Sequence, residues 1–230
     1  LIVGGMIILG GFLGLFIIKD NCVQQTENKS YFSNIIYGFR PSVIKKNKPL
    51  YVIFAATAIF CTAQQIFMPY LIVYIEYFMK ITDYAIILGI VLTLSAVISI
   101  VMGRQVDKHG KHKFLLPSCL IFTAGLFIMY LLGKNLSGSP AVNKILLSLF
   151  GTVMMSGSLL VMLILTAGNR DYIPEEQRGH YSGIRMIFFV LIPMIIGPFI
   201  GSAIIKNYGK SYLDEFGAVQ YIPNPEIFLG

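Results

Sequence analysis

Charge is what this sequence has least of. Asp, Glu, Lys and Arg make up 13% of its 230 residues, against about 25% in an ordinary soluble domain. Acids are scarcer than bases, 11 against 18, and no Asp, Glu, Lys or Arg falls in the middle of a long apolar run. That leaves no intramembrane carboxylate of the kind coupled pumps use. A coupling proton or sodium ion would therefore be handled outside this stretch of chain. Cysteine and histidine are scarce too. Cys22, Cys61 and Cys119 show no metal-ligand spacing, and their odd number argues against a disulfide framework. His109, His112 and His180 fall in or beside polar segments, without H-E-x-x-H or related spacing. No nucleophile–base pair stands at membrane depth. A membrane enzyme is disfavoured, and neither cofactor nor metal is expected.

What is there is apolar. Hydrophobic types reach 56% and mean hydropathy is +0.73. The apolar residues gather in runs of about 18 or more, long enough to cross a bilayer as helices. The runs predict six transmembrane helices, at 1–18, 50–78, 84–102, 114–132, 144–167 and 181–205. The fold class is all-α, a polytopic membrane helical bundle whose constant partner is the lipid bilayer. Gly4, Gly5, Gly10, Gly11 and Gly14 suit close packing of the first helix. Pro69 is expected to kink the second, and Pro117 to sit in the first turn of the fourth. The chain opens inside an apolar run and stops at Ile227-Phe228-Leu229-Gly230, the expected start of another, so it reads as part of a longer protein.

The polar segments set the orientation. Residues 19–49 are basic and rich in Ser, Asn and Gln. Within them Tyr31, Phe32, Ile35, Ile36 and Phe39 recur at helical spacing, which predicts a short helix on the membrane surface. So long a loop inside one compact bundle is unusual. The chain therefore divides into 1–18, the last helix of one half, 19–49, a central cytoplasmic loop, and 50–230, an incomplete second bundle. Lys and Arg concentrate in 19–49, 103–113 and 168–180 and thin out in 79–83, 133–143 and 206–226. The basic set is expected on the cytoplasmic face. The net charge of +7 has its source in those loops, and no nucleic-acid partner is expected.

One link carries more information than the rest: Gly103-Arg104-Gln105-Val106-Asp107-Lys108-His109-Gly110-Lys111-His112-Lys113. Two helices joined so tightly must return on one face of the bilayer. The pattern G-x-x-x-D-[RK]-x-G-[RK]-x-[RK] resembles the loop signature of the major facilitator superfamily of secondary transporters. Pro174-x-x-x-Arg178-Gly179, followed by Gly197-Pro198-x-x-Gly201, is also similar to that superfamily. The resemblance implies helices six to eleven of a twelve-helix transporter in the plasma membrane. Such a protein moves a small-molecule solute by alternating access and does no chemistry on it. It also implies a cytoplasmic gate formed by Gly103, Arg104, Asp107 and Gly110, and Arg178 is the expected partner of Asp107. An anion at a helix end can meet a neighbouring helix N-terminus and arginines. The alternative is that Asp107 is a solvated loop residue.

Gln64 and Gln65 are the candidate solute contacts, with Tyr70 beside them. Amides are costly in lipid unless they face protein or water, and they both donate and accept, which suits hydroxyl-rich solutes. A proline at 69 frees the Gln65 carbonyl, and broken helices at the midplane are where transporter sites form. The pair resembles the sugar-porter branch, although Ile66-Phe67-Met68-Pro69 replaces the Asn and Gly that follow it there. The implied cargo is sugar-like, moved by facilitated transport or symport. Other readings stay open. A Gln can join two helices, Tyr70 and Tyr74 can belong to an interfacial belt, and Thr152, Ser156 and Ser158 can bond their own helix. A cavity lined by Met154, Met155 and Met162 would suit an efflux antiporter for amphiphiles. A transport-inactive scaffold or sensor is a further alternative.

Overall fold

Helices dominate because a chain in hydrocarbon must satisfy its own backbone polar groups. The computed structural model describes residues 4–5, 10–12, 39–173, 178–213 and 219–230. The chain separates into two units, Leu1–Asn34 and Ile35–Gly230. In the first, the described residues Gly4, Gly5 and Gly10 to Phe12 are helical. The rest of the expected first helix, and most of 19–49 with its surface helix, lie outside the described residues.

The second unit is a helical bundle. Its elements are α1 (Pro41–Lys46), α2 (Lys48–Phe67), α3 (Tyr84–His109), α4 (Lys111–Lys134), α5 (Pro140–Tyr172), α6 (Arg178–Met186) and α7 (Ile192–Tyr208). Beyond α2 the chain keeps coiling, through a tight turn at Met68–Tyr70 and a wide one at Tyr74–Phe78. Another wide turn, Ile187–Leu191, joins α6 to α7. Pro69 explains the first irregularity, since its missing N–H and its ring forbid the regular bond to Gln65. Five spans among the described residues are long and apolar enough to cross a membrane: Lys48–Phe78, Tyr84–His109, Lys111–Lys134, Pro140–Tyr172 and Tyr181–Tyr208. The integral, multi-pass reading stands on these five; the expected sixth span is the one at 1–18.

The helix ends differ from the expected ones in a consistent direction. α3 runs to His109 rather than Met102, and α5 to Tyr172 rather than 167. Charged residues end a hydropathy run, but they do not end hydrogen bonding along a helix. The long basic loop at 103–113 is thus reduced to Gly110, whose φ of 95° only glycine adopts without strain. Because α4 starts at Lys111, Pro117 lies inside it instead of in its first turn. The all-α expectation holds for the bundle, and one small non-helical element is added to it. β1 (Lys210–Leu213) and β2 (Val219–Ile222) pair antiparallel in a small hairpin at the end of α7.

α5 is the axis of the packing, and glycine sets its closest contacts. A Cβ on Gly125 of α4 would stand 2.6 Å from the Met154 Cα, and one on Gly157 would stand 2.6 Å from the Phe122 nitrogen. α4 and α5 therefore meet backbone to backbone, which lipid-embedded helices achieve with small residues. α3 meets α5 along a stripe repeating about every four residues: Ile87, Val91, Ser95, Ser99 and Gly103. α2 lies between α5 and α7. Its Phe54 and Phe67, with Tyr74 just beyond it, are fully buried.

Candidate functional site

The two adjacent glutamines turn to different neighbours, as a helix with about 100° between residues requires. Gln64 points at α5, where its amide nitrogen donates to Ser158 Oγ. Ser158 is 1% exposed, so this bond joins two helices inside the bundle. Thr152 and Ser156 donate instead to their own helix, to the carbonyls of Ser148 and Val153. Of the three α5 hydroxyls weighed from sequence, Ser158 alone is the one that answers a neighbouring glutamine. Finding it needs the knowledge that α2 and α5 are neighbours.

Gln65 turns toward α7. A Cβ placed on Gly197 would stand 2.9 Å from the Gln65 carbonyl carbon, and one on Gly201 would stand 2.7 Å from Tyr70 Cε2. Gly197 and Gly201 are four apart and present one bare strip on α7. That strip lets the helix seat against the segment from Gln65 to Tyr70. The Tyr70 hydroxyl then donates to the Pro198 carbonyl at 3.1 Å. The irregular segment at Pro69 is thereby tied to the backbone of α7 at Pro198. The Gln65 side chain is half-buried and makes no hydrogen bond among the described residues. Gln64, Gln65 and Tyr70 are therefore brought to one region, at the end of α2 and the turn that follows it. Gln64 and Tyr70 are engaged there, while the Gln65 amide is free.

Tyr74 does not belong to an interfacial belt. It is 0% exposed, stacked on Phe78 at 5.1 Å and edge-on to Phe228 at 5.2 Å, and its hydroxyl has no hydrogen-bond partner. A second buried polar pair escaped the sequence reading. Asn169, placed in a loop from sequence, is 0% exposed within α5 and donates to Thr57 Oγ1 of α2 at 3.2 Å. The extra turns of α5 carry it into the bundle.

The signature residues occupy the turn between α3 and α4. Gly103 is buried, with Leu163 Cδ1 at 3.5 Å from where its Cβ would be, so it lets α3 approach α5. Arg104 and Asp107 are exposed on the last turns of α3. Among the described residues Asp107 makes no ion pair. Lys108 lies in the last turn of the helix, where a cation complements the partial negative charge of its C-terminus. Gly110 makes the turn. Lys111 then pairs with Asp171 near the end of α5. Arg178 opens α6, and its side chain lies outside the described residues. No group of three or more His, Cys, Asp or Glu able to hold a metal occurs among the described residues.

Two clefts are mainly apolar. One of about 260 Å³ is lined by Met68, Met129, Met154 and Met155 with aliphatic neighbours from α3 and α5. Another, of about 600 Å³, lies along α2, α4 and α5 and includes Phe60, Phe122 and Phe127.

Residues 53–221 match the family model of the Major Facilitator Superfamily, which is more than half of the chain. No curated protein and no solved structure matches it.

Proposed function

The chain belongs to the Major Facilitator Superfamily, a family of membrane transporters, and from that premise we propose that it moves a small polar, sugar-like solute by alternating access. The observation that carries this reading is the free amide of Gln65. It is half-buried, midway along the Lys48–Phe78 span, beside a backbone irregularity at Pro69. A half-buried amide with no partner keeps its donors and acceptor available, and a hydroxyl-rich solute can meet both. Gln64 serves as the strut to Ser158, and Tyr70 fixes the backbone near Pro198. Replacing Gln65 by Ala should weaken solute binding by about 1–3 kcal/mol. Protection of the purified protein against thermal unfolding by a panel of monosaccharides identifies the solute and reads the loss. Unchanged protection in the Gln65→Ala protein removes the sugar-like reading.

The same proposal covers gating and coupling. Gly103, Arg104, Asp107 and Gly110 form the cytoplasmic gate, with Asp107 meeting Arg178 in the closed state. Asp107 is exposed at a helix end, so the contact is worth about 0.3–1 kcal/mol, the range for surface charges near a helix terminus. Asp107→Asn should shift the balance toward the cytoplasm-open state by no more than about sixfold, as that energy allows. Alkylation rates of a cysteine on the cytoplasmic side measure the shift, and equal rates in both proteins would leave Asp107 a solvated residue. Coupling to a proton or sodium ion would use carboxylates outside the spans seen here, and the plasma membrane is the proposed location.

One observation favours a second cargo. Four methionines line the 260 Å³ cleft, and Met adapts its shape to varied apolar ligands. Amphiphile efflux would use this cleft, and Met155→Ala would then weaken binding of a hydrophobic cation while leaving monosaccharide protection intact.

A further inference from the structure

At the end of the bundle that carries Gly110, a cavity of about 420 Å³ is unlike the two apolar clefts. Among the described residues it is lined by Thr166 and Arg170 from α5, Ile173 just after it, and Ser182 and Arg185 from α6. Its volume falls in the range of small-molecule sites, about 300–1,000 Å³. Two guanidinium groups and two hydroxyls meet there, and no carboxylate lines it among the described residues. Asp171, next along α5, is already bound to Lys111.

Arg185 is the telling side chain. Its Nε is buried and has no hydrogen-bond acceptor. Its guanidinium sits 5.5 Å from the centre of the Phe189 ring, one turn further along the chain. That contact holds the fork in place through the ring's negative face, but supplies no acceptor. A positioned, partly desolvated cation with an empty donor is what an anion site requires before its anion arrives. Arg170, in the last turn of α5, adds a second cation. Thr166 and Ser182 add hydroxyl donors. Guanidinium forks match the spacing of phosphate oxygens and bind them in pairs. Two forks and two hydroxyls offer more donors than one carboxylate can take up, whereas a phosphate spreads its charge over several oxygens.

We infer that the Arg170–Arg185 cavity binds a phosphate ester. The cavity leaves room for a small organic substituent on the phosphate. The oxyanion comes either from a phospholipid headgroup in the adjoining leaflet or from a water-soluble organic phosphate. This site lies apart from Gln65, and its occupancy does not depend on which solute is transported.

Titrations on the purified full-length protein separate the two sources. One arm places it in nanodiscs of phosphatidylcholine with increasing phosphatidylglycerol and counts retained lipids by native mass spectrometry. The other adds glycerol phosphate to detergent-solubilised protein and follows binding calorimetrically. Wild-type protein should bind in at least one arm, and the Arg170→Gln, Arg185→Gln double variant should bind at least tenfold more weakly in that arm. Arg185→Lys keeps the charge without the fork and should fall between. If the Arg185 variants do not fold, judged by circular dichroism, Arg170→Gln with Ser182→Ala changes two exposed positions and should still lower affinity severalfold. Wild-type protein that binds in neither arm, or variants that bind as tightly as wild type, would overturn the inference.

Discussion

α3 and α5 are both long, apolar helices, and they occupy opposite surroundings. In their most apolar stretches, 22% of α3 is buried inside the protein against 61% of α5. α3 exposes Ile86, Ile90, Leu94, Val97, Ile98 and Val101, and it buries the small residues Ser95, Ser99 and Gly103. α5 buries Gly151, Thr152, Ser156, Gly157 and Ser158 along with its methionines. In water the large aliphatic residues would mark the interior. In lipid they are equally at home outside, because acyl chains are as apolar as leucine. What marks the interior here is smallness and weak polarity. Ser95 makes the point, since its hydroxyl donates across the interface to the Thr152 carbonyl at 3.2 Å.

The comparison breaks most easily at glycine. Gly157→Leu puts a side chain into the Phe122 backbone, which cannot withdraw as a flexible side chain would. It should destabilise the detergent-solubilised protein by about 3 kcal/mol or more, the upper end for overpacking. A Cβ at Gly89 of α3 meets nothing within 4 Å, and Gly89→Leu should be neutral or slightly stabilising, because glycine costs a helix about 1 kcal/mol. Unfolding curves in mixed detergent compare the two. Equal destabilisation would mean that the exposed face of α3 is packed against something.

The smallest effect concerns the charged contact that joins the two helices. Asp83, just before α3, pairs with Lys144 near the start of α5. The hydrogen bond from Lys144, and then its charge, hold the Asp83 carboxyl below its ordinary value near 3.8. A lowered folded-state pKa adds stability that is complete above the unfolded value and is lost as the pH falls through the lower, folded one. Asp83 is exposed and Lys144 partly so, and the contribution of such a surface pair is slight. Wild-type protein should lose slightly more thermal stability than Asp83→Asn on acidification below about pH 4. Parallel melts that coincide at every pH would show that the pair does not couple α3 to α5.

How much of this was legible follows from the same physics. The existence of each described span was readable, because apolar runs of this length have few other fates. Their ends were not, because hydropathy reports the lipid boundary while the hydrogen-bond ladder continues through Arg104, Asp107 and Asn169 into the polar zone. β1 and β2, four residues each, are too short to show a period of two. Gln64 and Gln65 stood out as amides in an apolar run. Their separate fates, one on Ser158 and one against Gly197, depend on which helices flank α2, which no local pattern states. The Arg185–Phe189 contact was readable as a pair four apart, but its unfilled Nε depends on the fold around α6.

In the proposed transporter the bundle crosses the bilayer with its Gly110 turn in the cytoplasm. Single cysteines at the exposed positions His109 and Ser137, in a protein with Cys22, Cys61 and Cys119 replaced by Ala, test this directly. With a membrane-impermeant maleimide on intact cells, the cysteine at 137 should label at once and the one at 109 only after permeabilisation. Rapid labelling of position 109 in intact cells would contradict the topology and the gate assigned to it.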